Sequence, residues 1–284
     1  MQQQHSICEF FGSDSWIILS PIEQSIKRKI EAVGTPLKDW DIQINYGIKT
    51  GYNDAFIITT EKRNEILAHC VDADERIRTE ELIRPILRGR DIKRYGYDWA
   101  GLWLINTHNG IKGVKERIHI EDYPAIKVHL DQYWPKISKR ADKGDTPYNL
   151  RNCAYMEDFS KPKIIYSEIT QGSAFVLDEN KILLTLQTGY ILVGKHLEWL
   201  ISNLNSTLIE WAFRSFYSIA LGNRGLRWLK QYIEILPIVK PTPTQEKALT
   251  SLLKSGDYVA IDNFIYQLYN LTSEEISFIE NRED

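Results

Sequence analysis

A chain of 284 residues, 43% of them hydrophobic, is long enough for one large domain or two modest ones. Its three cysteines, Cys8, Cys70 and Cys153, form no CxxC or Cys/His cluster, which argues against zinc and for a reducing compartment. There is no signal-peptide pattern and no apolar run of about 18 residues, so a soluble, cytoplasmic protein is expected. A net charge of −3 argues against a uniformly basic nucleic-acid binder, but residues 76–163 carry 18 Lys and Arg against 12 Asp and Glu, between two acidic ends. That asymmetry points to a polyanionic partner.

Residues 1–15 read as a tail, and Trp16 to Leu19 as a short buried strand. Ser20-Pro21 opens a helix with an apolar stripe of Ile22, Ile26, Ile30 and Val33, stopped by Gly34. Trp40 to Tyr46 alternates as a strand does. Gly47 and Gly51 then bracket a tight loop before a second strand, Ala55 to Thr60, and a helix from Glu61 to His69.

Residues Glu80 to Tyr95 combine five cations with Leu82, Ile83, Ile86, Leu87 and Ile92. Pro85 predicts an interruption at Arg84. In Arg88-Gly89-Arg90 the glycine permits a tight corner from which two arginines project. Arginine's planar fork suits phosphate and guanine edges, and it suits Glu80, Glu81 or Asp91 equally well. Both readings fit this stretch.

Asp98 to Asn106 reads as a buried strand, residues 107–115 as a loop and Tyr123-Pro124 as a helix start. A second basic loop runs from Lys139 to Tyr148. Strands follow at Lys163 to Ile169, Ala174 to Leu177, and once or twice within Ile182 to Val193. Between them Asp178-Glu179-Asn180-Lys181 reads as a hairpin turn. From His196 to Ala212 the period becomes helical, and one long buried helix is expected, with Trp199, Trp211, Phe213 and Phe216 as core. Gly222 to Arg227 is a third basic glycine turn. Tyr232 to Val239 returns to a sheet, and Pro241-Thr242-Pro243 reads as a linker. Two helices follow, and Thr272-Ser273-Glu274-Glu275 caps a last one. The fold expected is α+β: a β-rich recognition domain over residues 16–240 braced by long helices, with a helical extension at 241–284.

Catalytic patterns are missing from the sequence. There is no P-loop and no GxSxG. A methyltransferase's glycine-rich cofactor turn and its Asn/Asp-Pro-Pro-aromatic loop do not occur. The six histidines are scattered and no nuclease Asp with Glu-x-Lys stands out. Catalysis by this chain alone is not expected.

Several motifs, in this order, resemble the TaqI-like C-terminal specificity domain. They are Ile44 to Phe56, Arg84 to Ile92, Lys161 to Tyr166, Leu204-Asn205-Ser206, Leu236-Pro237-Ile238 and Asp262 to Thr272. The Leu-Asn-Ser helix and Gln245 also resemble type I specificity subunits. That family is the target-recognition part of adenine-specific DNA methyltransferases, notably type IIG restriction-modification enzymes. The resemblance spans about residues 16–281 and implies an α+β fold that reads double-stranded DNA. It also implies that S-adenosylmethionine, and in type IIG a nuclease with Mg, belong to a catalytic portion acting in cis and absent here. The chain is then a fragment of a larger bacterial enzyme. An assembly or protein-interaction module of a phage-defence methyltransferase is the alternative, suited by the acidic C-terminal helices.

On that reading Lys49, Tyr52 and Asn53 face DNA or merely form a hairpin turn. Asn reads adenine and Lys meets phosphate or guanine. Arg88, Arg90, Lys93 and Arg94 form the first basic corner. Lys139, Arg140, Lys143 and Tyr148 form a second clamp, and Arg224 and Arg227 a third. Lys112, Lys115 and Arg117 read as a solvated face.

Overall fold

The computed structural model describes residues 19–218 and 225–281. Trp16 to Ile18, Cys8 and Gly222 to Arg224 lie outside the described residues.

Two four-stranded sheets organise the chain. The central sheet is antiparallel throughout, in the order Phe175–Asp178, Lys163–Ser167, Gly189–Gly194, Ile42–Tyr46. The second sheet runs Leu184–Thr185, Ile83–Leu87, Leu102–Ile105, Ile57–Thr59, and its first pair is parallel. Burial explains the sequences. Ile164, Tyr166, Tyr190 and Leu192 face one core, while Ile165, Val176, Ile191 and Val193 face another. A strand covered on both sides has no polar face, so Lys163–Ser167 and Gly189–Gly194 read as almost unbroken apolar runs.

The first core is closed by helices. Ile26 and Ile30 come from the helix Pro21–Val33, with Trp199, Leu200, Leu208, Trp211 and Phe213 beside them. Leu249, Ile261, Ile265, Tyr266 and Ile279 of the C-terminal helices share the same core. The second core lies between the central sheet and the second sheet, with Ile126 and Leu130 of the helix Pro124–Asp131. Each such Leu or Ile removes surface worth about 1.5–3 kcal/mol from water.

Six sequence expectations change. The glycine loop after Tyr46 is not a hairpin: Ile42–Tyr46 pairs with Gly189–Gly194, whereas Ile57–Thr59 pairs with Leu102–Ile105 in the other sheet. The loop is a crossover, and Asn53–Phe56 is a short helical turn. Asp178 to Lys181 is also a crossover, because Leu184–Thr185 leaves the central sheet for the second. Pro85 does not interrupt its strand. It stands where the strand changes partner, from Leu102–Ile105 to Leu184–Thr185, so its missing N–H breaks no continuous ladder. The helix from His196 is broken into Leu197–Leu204 and Thr207–Ala212. Ser206 caps the second piece, and Asn205 turns its amide to the backbone N and O of Phe175 at 3.1 and 2.9 Å. Finally, Pro241 to Pro243 is no spacer: Thr242 is the N-cap and Pro243 the first residue of a 13-residue helix. Of the stretch 232–239, only Pro237–Ile238 is strand, paired with Thr35–Pro36.

One charge pair is sealed inside. Lys163 Nζ donates to Asp178 Oδ2 at 2.5 Å and to Phe159 O at 2.9 Å, and both side chains are buried. Asp178 also accepts from Leu183 N at 2.9 Å, so the carboxylate fixes the crossover that begins there.

Candidate nucleic-acid interface

The registers Tyr46↔Tyr190, Gly189↔Ser167 and Phe175↔Tyr166 bring four strand ends to one edge of the central sheet. Thr185↔Leu87 adds the end of Ile83–Leu87. The loops 47–53, 168–174 and 186–188 and the corner 88–91 therefore emerge together. Neighbouring strands lie about 4.8 Å apart, which sets the spacing of these loops. An aromatic row backs them: Tyr46, Tyr190, Tyr166, Phe175, Trp228 and Phe213, with successive ring centroids 4.8, 5.1, 5.0, 4.9 and 3.8 Å apart. Cross-strand aromatic pairs of this kind stiffen a sheet.

The first loop is locked to residues 140–151. A Cβ on Gly51 would lie 2.4 Å from Asp142 O, and Gly51 has φ +71°, so glycine is needed twice over. Arg140 is buried. Its guanidinium donates to Thr50 O at 2.8 Å and to Asn149 O, and lies 4.3 Å from the Phe56 ring centre. Burial pulls it down to about 10. The structure thus turns Arg140 inward, where it braces the two loops. Lys49 Nζ sits 2.8 Å from Asp142 Oδ2, and Arg151 3.1 Å from Oδ1. Two cations share this one carboxylate, which they hold below the usual range, Lys49 foremost. A cleft of about 440 Å³ opens here, lined by Tyr46, Lys49, Arg151, Tyr155 and Gln187. A second of about 760 Å³ adjoins it at Asn152 and Cys153, and Lys112, Lys115 and Arg117 line its far side. Burial pushes Cys153 up to about 11 and Tyr155 to about 12, so both stay neutral at pH 7.

Other expected residues divide. Asn53 accepts from Thr50 Oγ1 at 2.5 Å, and Tyr52 packs on Tyr133. Arg88 makes a two-pronged pair with Asp91 at 2.8 and 2.9 Å, and Asp91 also accepts from Arg88 N at 2.9 Å. Its neighbour Gly89 touches the strand end: a Cβ there would lie 2.3 Å from Ser167 Oγ. Arg90 is exposed and, among the described residues, in no ion pair within 4 Å. Lys93 donates to Arg90 O at 3.0 Å. Arg94 points to the helices, donating to Asn205 O at 2.8 Å and to Asp262 at 3.1 Å. Lys139 is exposed, Lys143 donates to Ser138 O at 2.8 Å, and Tyr148 donates to Asp131 at 2.5 Å. Arg227 pairs with Glu168 at 2.9 Å, and Arg224 lies outside the described residues.

The structure therefore unites Lys49, Arg88, Arg90 and Arg227 around one sheet edge and sends Arg94 elsewhere. Sequence reading passed over Arg151 and the turn residues Gln187 and Thr188. The signal for the turn was present: polar Gln-Thr-Gly between the apolar runs ending at Leu186 and starting at Tyr190.

The family model for the TaqI-like C-terminal specificity domain matches residues 84–238, more than half the chain, from just before the Arg88 corner to Ile238. The chain belongs to this family. Type II methyltransferase M.PaeR7I of Pseudomonas aeruginosa is 22% identical over 276 residues, covering 94% of this chain and 45% of that protein. The chain thus spans less than half the length of this curated relative. Among solved structures, the type IIL restriction-modification enzyme MmeI, determined in complex with DNA, superposes with a TM-score of 0.61 at 13% identity. The match covers 87% of this chain and 35% of that one. The type IIG restriction endonuclease BpuSI gives a TM-score of 0.53 at 14% identity, covering 88% of this chain and 33% of that one. Both likenesses establish the fold. No helix among the described residues is long and apolar enough to cross a membrane.

Proposed function

We propose that this chain recognises a specific sequence in double-stranded DNA, as the target-recognition part of a larger cytoplasmic type II restriction-modification enzyme or adenine-specific methyltransferase. The supporting observation is the convergence of the loops 47–53, 168–174 and 186–188 and the corner 88–91 on one sheet edge that holds more cations than its carboxylates offset. Lys49 and Arg151 share Asp142, and Arg90 is exposed and in no ion pair within 4 Å among the described residues. Cations of this kind meet phosphates and fix register, while neutral polar groups beside them distinguish bases. Methyl transfer, S-adenosylmethionine and any Mg-dependent cleavage are assigned to a catalytic portion in cis. Among the described residues no three His, Cys, Asp or Glu side chains gather as metal ligands.

The test is equilibrium binding of the chain to duplex DNA at several salt concentrations. Log affinity should fall linearly with log salt, by about 0.9 per phosphate contact. Binding that ignores salt, or no binding at low salt, would refute the reading.

A further inference from the structure

Between the two cationic flanks lies an uncharged turn. Gly189 N donates to Leu186 O at 2.8 Å, which places Gln187 and Thr188 at the turn's two central positions. Its backbone is clamped from both sides. Ile48 N donates to Thr185 O at 2.8 Å and Gly47 N to Gly189 O at 2.9 Å. Opposite them, Glu168 N donates to Thr188 O at 2.9 Å and Thr185 Oγ1 to Leu87 O at 3.1 Å. A Cβ on Gly47 would lie 2.0 Å from Leu186 O, so the close approach depends on glycine. Thr185 and Gly189 are buried, yet Gln187 and Thr188 between them are exposed. Neither the Gln187 amide nor the Thr188 hydroxyl has a hydrogen-bond partner among the described residues.

A rigid backbone that presents an unspent amide among cations suits base reading better than phosphate binding. An amide sets one donor beside one acceptor, the complement of adenine N6 and N7 in the major groove. Three of the expected arginines are committed elsewhere. Arg88 is held by Asp91, Arg94 by Asp262 and Asn205, and Arg140 by backbone carbonyls. Releasing any of them would break charge-assisted bonds.

We propose that Gln187 is a specificity-determining residue that reads an adenine edge in the major groove. Lys49 and Arg151 on one side, and Arg90 on the other, hold the flanking phosphates. This rests on the DNA-recognition reading above. Lys49 and Arg151 line one cleft with Gln187, and a major groove about 12 Å wide admits the turn.

The experiment uses the whole chain, a pool of DNA duplexes with a randomised segment, and sequencing of the bound fraction. The wild type should enrich one motif. Gln187→Ala should lose preference at one adenine position by roughly ten- to a hundred-fold. Gln187→Glu should prefer cytosine there, because a carboxylate only accepts and cytosine N4 donates. Thermal midpoints of both variants, measured alongside, should match the wild type. A motif unchanged in both variants overturns the proposal and leaves DNA recognition standing. A wild type that binds duplex with a salt slope but enriches no motif overturns the proposal and sequence-specific recognition alike, leaving only non-specific phosphate binding. A wild type without salt-dependent duplex binding overturns both readings.

Discussion

On the helical side of the central sheet, two cations are each committed to a carboxylate and a carbonyl. Arg94 is committed to Asn205 O and Asp262, and Lys29 to Asn270 O and Glu275 at 2.9 and 2.7 Å. At the loop end, Lys49 and Arg151 must share Asp142, and Arg90 is left in water. The same residue types therefore serve two ends. Where a carboxylate and a carbonyl converge on one guanidinium, the charge fixes how helices sit. Where cations outnumber carboxylates over a glycine-tight backbone, charge is available for a partner. Counting basic residues along the chain does not separate the two cases, because the separation depends on which acceptors fold back.

The largest effect expected is on what both regions share. Asp178→Ala strands the Lys163 ammonium in the core and should cost about 3–5 kcal/mol in urea unfolding. Tryptophan fluorescence and far-UV circular dichroism should report one coincident transition. Separate transitions would mean that the two regions fold independently and would break the comparison.

Next comes Arg140→Ala, which leaves the Thr50 carbonyl without its donor and the Asn149 carbonyl with Gly144 N alone, at 3.0 Å, at a cost of about 1–3 kcal/mol. Lysine at this position should rescue little, since it lacks the fork that reaches both. A variant as stable as the wild type would show that Arg140 is not a brace.

The third prediction separates the regions directly. Lys49→Ala with Arg151→Ala should weaken duplex binding and reduce the salt slope by about 2, with less than about 0.5 kcal/mol change in stability. Arg94→Ala should do the reverse, losing up to about 1 kcal/mol of stability with the salt slope unchanged. If Arg94→Ala alters the slope as well, the division into spent and available cations fails.

A pH dependence is also expected. Burial, assisted by the Lys115 charge, pulls His108 down to about 4, and its Nδ1 accepts from Gly110 N at 3.2 Å. An unfolded histidine titrates near 6.5. Between these values the unfolded state binds more protons, so stability is full above about pH 6.5 and declines as pH falls toward 4. His129, lowered by burial in the same core, acts in the same direction. His108→Asn should flatten the pH profile of unfolding over that window. An unchanged profile would assign the acid sensitivity to other groups.

Features decided by a few neighbouring residues were fixed by the sequence alone. Ser20 with Glu23 and Thr272 with Glu275 close capping boxes, and Pro124 opens its helix. The apolar strands 163–167 and 189–194 carry their burial in their composition, and the ordered family motifs carried the specificity-domain assignment. Tertiary structure alone decided which sheet each strand joined. It turned the loop after Tyr46 and the segment after Asp178 into crossovers, and broke the helix at Asn205, where Phe175 takes up the amide. It also decided which of the expected cations remain available. Capping and periodicity act within one or two turns of chain. Strand partners and the pairing of a charge depend on groups brought together from far along it, such as Arg94 with Asp262 or Lys49 with Asp142.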